Sequence, residues 1–135
     1  MPYKILEHTA DVRVLVQSNS LEELFSDALL AMMEVLKPSV AVEKKEAERT
    51  IAVKSTDQTA LLIDFLNEVL LAAYEYREAY DRVIFKSLKE NSLEAELYGR
   101  AVESFGEDIK AVTYNEAEVK QSETGQWQTN LVFDI

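Results

Sequence analysis

The stretch Glu7-His8-Thr9-Ala10-Asp11-Val12-Arg13-Val14-Leu15-Val16 decides how the rest of the chain is read, because it describes a strand with a charged entrance. Val12, Val14 and Val16 alternate with Arg13, Leu15 and Gln17, the period of two that buries one face of a strand. Tyr3 and Ile5 extend the apolar character upstream. Asp11 stands where the strand begins. A carboxylate there is explained by an Asx-turn onto its own backbone, or by a partner cation or metal that it serves. His8 is the only histidine, and with no cysteine in the chain it makes no zinc site of its own.

Downstream of this strand, Ser20-Leu21-Glu22-Glu23 is a capping box, with Ser and Glu three apart before an apolar series. Leu21, Leu24, Phe25, Ala28, Leu29, Met32, Met33 and Leu36 recur at helical spacing and form one stripe. Met32 and Met33 are read as core filling. Pro38 ends this helix near Lys37. The mixed-charge run Glu43-Lys44-Lys45-Glu46 reads as a solvated turn, and Glu48 to Lys54 as a second strand with Ile51 and Val53 on one face.

Ser55-Thr56-Asp57 caps a second helix, Thr59 to about Tyr76. Its apolar residues, Leu61 to Ile63, Phe65, Leu66 and Val69 to Ala73 with little interruption, exceed one face. Such a helix has to be covered on more than one side, by a sheet and a neighbouring helix or by a partner chain. Asp64, Asn67, Glu68 and Glu75 mark its polar side and read as solvated.

Beyond Arg82 the period changes to two. Val83–Leu88 and Leu93–Tyr98 flank Lys89-Glu90-Asn91-Ser92 as a hairpin, with Leu93, Ala95 and Leu97 inward and Glu94 and Glu96 toward water. A loop through Ser104–Asp108 leads to the run from Ile109 to Tyr114. Gln121–Gly125 turns into a last strand, Trp127–Ile135. Strand, helix, strand, helix and then a series of strands predicts one α+β domain over residues 1–135. It has two layers: a mixed, mainly antiparallel sheet of about six strands with two helices on one face.

Composition bounds the function. The 135 residues carry 14 Lys and Arg against 25 Asp and Glu, a formal charge of −11. Nucleic-acid affinity draws on cationic contacts, so direct RNA or DNA binding is not expected, whereas a basic protein partner or bound cations suit this charge. Absence of cysteine removes thiol and iron–sulfur chemistry. No signal peptide and no apolar run of membrane-spanning length occurs, which reads as a soluble, cytoplasmic protein with no membrane association. Only 3 glycines occur, singly, so no phosphate-binding loop is present.

At the other end, Asp134 and the terminal carboxylate of Ile135 put two anionic groups on adjacent residues. Asp134 reads either as a frayed terminal residue or as half of a cation site. If the last strand lies beside the first, Asp11 joins them. Three carboxylate groups without a required imidazole or thiol suit calcium, magnesium or manganese rather than zinc.

Glu7-His8-Thr9-Ala10-Asp11-Val12, Ser20-Leu21-Glu22-Glu23-Leu24-Phe25, Leu61-Leu62-Ile63-Asp64-Phe65-Leu66-Asn67-Glu68, Ile109–Tyr114 and the terminal Val132-Phe133-Asp134-Ile135 together resemble the archease family. The resemblance spans the chain in order and spacing. It implies a non-enzymatic accessory protein of the GTP-dependent tRNA-splicing RNA ligase, promoting guanylylation of the ligase histidine and multiple turnover. It also implies the archease fold and a metal site at Asp11, Asp134 and Ile135, with calcium expected first. Two positions depart from the family pattern: Arg13, where many relatives have glycine, and Asn115, where many have histidine. Two other readings follow from the residues themselves. One is a metal-dependent phosphohydrolase using the three carboxylates and His8 as acid or base. The other is a general chaperone or scaffold whose over-apolar second helix docks onto clients.

Overall fold

The alternation of Val12, Val14 and Val16 forms β1 (Asp11–Ser18) in the computed structural model, which describes residues 2–3, 11–40 and 45–135. His8, and Glu43 and Lys44 of the Glu43–Glu46 turn, lie outside the described residues. Ser20 then caps α1 (Leu21–Leu36) by accepting from the Glu23 N–H, and Lys37 closes it in the left-handed conformation. Ser18, buried at the end of β1, donates to Asp27 at 2.6 Å and so fastens the strand to the helix that follows.

Pro38–Val40 forms β2, a short strand that sequence pattern does not announce, and β3 runs Glu46–Lys54. Asp57 caps α2 (Gln58–Tyr76) by accepting from the Ala60 N–H at 2.8 Å. The hairpin is longer than its alternation suggests: β4 spans Glu78–Leu88 and β5 Ser92–Phe105. β6 (Ala111–Thr113), β7 (Lys120–Gln121) and β8 (Trp127–Asp134) complete the chain.

The α+β class holds. Among the described residues, however, the strands number eight, lie in two four-stranded sheets instead of one mixed sheet, and pair antiparallel throughout. β8 is central to one sheet, with β1 on one side and β6 and β7 also paired to it. β5 is central to the other, paired to β2, β3 and β4. The count rises because pairing along two strands is shared: β2 and β3 meet successive parts of β5, as β6 and β7 do of β8.

The breadth of apolar residues on α2 is used within the molecule. Leu61, Leu62, Ile63, Phe65, Leu66, Val69, Leu70, Ala72 and Ala73 are all buried, against α1 and strands of both sheets. Each fully buried Leu, Ile or Phe contributes about 1.5–3 kcal/mol of transfer free energy. Phe25, Phe65 and Phe85 form an aromatic triangle with centroids 5.6–6.1 Å apart, joining α1, α2 and β4. Leu71 is the exception at 58% exposed; internal packing accounts for the rest of the breadth that suggested a partner chain or client docking. None of the described helices is long and apolar enough to cross a membrane.

A half-buried ion pair ties β3 to β4, and its arginine also reaches the C-terminal end of α2. Glu78, 7% exposed, takes two bonds from the Arg49 guanidinium (2.8 and 3.0 Å) and a third from the Tyr80 hydroxyl. The same guanidinium stacks 3.6 Å from the centroid of the Tyr76 ring. Beside it, Gly99 permits β4 and β5 to approach where the register slips after Tyr80: a Cβ at Gly99 would sit 1.8 Å from the Ala79 carbonyl oxygen. Gly99→Ala is therefore expected to force the hairpin apart and lower stability by about 2 kcal/mol or more. Urea denaturation checks this, and an unchanged midpoint contradicts it.

Candidate functional site at the β1–β8 end

The β1–β8 pairing brings together the two acids that the sequence singled out from opposite ends of the chain. Val12 pairs with Phe133, Val14 with Leu131 and Val16 with Thr129 on the core side. The intervening positions therefore share the outer face: Asp11 opposite Asp134, Arg13 opposite Val132, Leu15 opposite Asn130 and Gln17 opposite Gln128. Directly opposed residues hold their Cβ atoms about 4.5–5.5 Å apart, so the Asp11 and Asp134 carboxylates share one small region. Asp11 is exposed, and Asp134 and Ile135 are half-buried.

Asp134 is firmly placed, which disposes of a frayed end. Its Cα pairs with Ala111 on the other side, and its carbonyl accepts the Lys110 N–H at 2.7 Å. The 109–112 segment is in turn held by two side chains of α2. Asn67 makes a two-way amide bond to Val112, accepting from its N–H and donating to its carbonyl, both at 2.9 Å. The Tyr74 hydroxyl does the same for Ile109, at 2.8 Å to each group. Asn67, read from sequence as part of a solvated face, thus acts as a substitute strand neighbour. A polar residue interrupting a broad apolar helix was the signal available.

Asp64 is also engaged, accepting from Ser55 at 2.5 Å and from the Tyr114 hydroxyl. It ties the turn after β6 to the N-terminal half of α2. In that turn, Asn115 is exposed and Glu116 adopts a left-handed backbone, φ 61°; the Glu116 carboxylate pairs with the Arg13 guanidinium. Arg13 therefore directs its charge to Glu116.

Among the described residues the donor set at this end is oxygen only, and two anions face each other across a strand pair. That arrangement fits a hard divalent cation. Among the described residues no group of three His, Cys, Asp or Glu side chains could hold a metal, and Asp11 and Asp134 are a pair. The three glycines form no phosphate cradle: Gly99 is packed against the Ala79 backbone, Gly106 against Lys37, and Gly125, φ 87°, makes the turn before β8.

Comparison with known proteins gives a consistent picture. The model of the Archease protein family (MTH1598/TM1083) matches residues 3–135. The chain is 35% identical to a protein archease of Methanosarcina mazei, over 98% of this chain and 95% of that one. It is 33% identical to one of Pyrococcus abyssi, over 96% and 95%. Its fold is similar to the crystal structure of a Thermotoga maritima archease described as a possible chaperone. That match has a TM-score of 0.72 and 25% identity and covers 100% of this chain and 98% of that one. The solution structure of Methanobacterium thermoautotrophicum protein 1598 is also similar, with a TM-score of 0.67, 28% identity and 96% of each chain covered.

Two outcomes follow from the α2 contacts. Asn67→Ala leaves the Val112 N–H and carbonyl without their partner and should cost about 1–3 kcal/mol, read as a lower melting temperature; a melt matching that of the parent protein contradicts the assigned role. Burial pushes the Tyr74 phenol up to about 12 and raises Tyr80 as well, above an ordinary value of about 10. Raised folded values contribute stability that is complete below about pH 10 and is lost as the pH climbs toward 12. In a phenolate absorbance titration, Tyr74 and Tyr80 should ionise only as the chain unfolds; all six tyrosines ionising near pH 10 in a folded chain would overturn this.

Proposed function

The chain belongs to the archease family, and on that premise we propose that it is a cytoplasmic accessory protein of the GTP-dependent tRNA-splicing RNA ligase. In this reading it makes and breaks no bonds itself. It promotes guanylylation of the ligase histidine and so sustains multiple turnover. The observation that carries the reading is the β1–β8 register, which sets Asp11 opposite Asp134 at one end of the strand pair.

Asp11, Asp134 and the Ile135 main-chain oxygen are the groups we assign to hold a divalent cation, calcium first and magnesium or manganese as alternatives. When bound, such an ion supplies positive charge against a nucleotide triphosphate. Positioning and charge neutralisation dominate phosphoryl-type transfer, so an accessory protein that contributes only these can raise the rate. The chain's own residues do the placing. Asn67 and Tyr74 hold the 109–112 segment, and the Lys110 N–H holds the end of β8. The formal charge of −11 favours a cationic protein surface over RNA as the direct partner.

The test compares single- and multiple-turnover ligation with and without this protein. Wild type should stimulate multiple turnover, and Asp11→Ala and Asp134→Ala should each reduce that stimulation by at least tenfold while melting as wild type does. Full stimulation by Asp134→Ala removes the acidic end from the mechanism. Phosphate release from GTP by the isolated protein, abolished in Asp11→Ala, would instead establish the phosphohydrolase reading.

A further inference from the structure

Arg13 and Glu116 stand beside the acidic end but are not needed to hold a cation there, and their geometry gives them a separate task. Residues two apart on a strand share a face and lie about 6.5–7 Å apart, so Arg13 is the same-face neighbour of Asp11. Across the pairing it opposes Val132, the same-face neighbour of Asp134. Its guanidinium does not lie against those acids; it reaches the Glu116 carboxylate in the turn that follows β6. The pair spans the outer face of the sheet over the register Arg13–Val132–Thr113. Val132 is only 3% exposed there, and the Thr113 hydroxyl is buried with no hydrogen-bond partner among the described residues.

Glu116 is held in place from two directions. The turn closes with the Ala117 N–H on the Tyr114 carbonyl, and the Tyr114 hydroxyl is fixed on Asp64 of α2. The left-handed backbone at Glu116, uncommon outside glycine and asparagine, is maintained by these anchors. A turn fixed on both sides therefore presents one carboxylate to one guanidinium, on the sheet face that also carries Asp11 and Asp134.

We propose that Arg13 and Glu116 form a built-in counter-charge pair that sets how tightly the Asp11–Asp134 end retains a divalent cation. The inference rests on the cation seat proposed above. With the pair intact the two charges nearly cancel. Removing Glu116 releases a guanidinium beside the seat, where it repels a cation and attracts the two aspartates. Removing Arg13 leaves an additional carboxylate, which attracts the cation. A unit charge about 7 Å from a divalent ion in water changes its affinity about three- to fivefold at low ionic strength, and about 1 M salt screens most of that.

The experiment is calorimetric titration of the full chain with calcium chloride at low salt, on wild type, Arg13→Ala, Glu116→Gln and the double variant. Thermal melts of each verify folding. Arg13→Ala should bind about three- to fivefold more tightly, Glu116→Gln more weakly by a similar factor, and the double variant within about twofold of wild type. The single-variant differences should shrink in about 1 M potassium chloride. Equal affinities in all four proteins, or single variants shifting in the same direction, overturn the counter-charge pair while leaving the seat intact. No calcium uptake by wild type at millimolar concentration overturns both.

Discussion

The register between β1 and β8 is the constraint on which everything else depends. A strand has two faces and a period of two, so a slip of one residue would send Val12, Val14 and Val16 into water and turn Asp11 into the core. The register is secured because the partner strand has its own preferences: Phe133, Leu131 and Thr129 are buried opposite those valines. Burial of one face thus determines the placement of charge on the other. The juxtaposition of Asp11 and Asp134 is a by-product of hydrophobic patterning that needs no attraction between the acids.

α2 is the second determinant. It is buried on several sides, yet Asn67 and Tyr74 project polar atoms from it, and each satisfies both the N–H and the carbonyl of one residue in the 109–112 segment. Buried backbone groups are costly to leave unpaired, so these two side chains specify where the segment lies as well as stabilising it. The segment then fixes the last residues of β8 through Lys110 and Ala111. A chain of named bonds therefore runs from the hydrophobic helix to the acidic end.

Both helices were legible in the sequence, caps included, because capping boxes and helical periodicity are local. So were the alternation of Val12, Val14 and Val16 in β1 and the burial of Leu93, Ala95 and Leu97, whereas the juxtaposition of the first and last strands entered only as a condition that the register now meets. The extension of β5 to Phe105 was not. Past Tyr98 the apolar alternation gives way to Gly99 and Arg100, and the strand continues because β4 and β2 supply hydrogen bonds that no local pattern encodes. The division into two sheets was illegible for a related reason: which strands join depends on contacts between distant residues. Asn67 and Asp64 were read as solvated because their partners, Val112, Ser55 and Tyr114, lie on other elements.

One sheet draws its strands from opposite ends of the described chain, and this orders events during synthesis. β1 leaves the ribosome before the other described elements, but its only partner strand among the described residues, β8, follows all of them. Contacts of such long sequence separation close late, so β1 spends that interval as an unpaired, valine-rich strand. Asp11 and Arg13, the charges beside its valines, then serve as gatekeepers against pairing with another nascent chain. The same two residues that later face the finished acidic end protect the strand before that end exists.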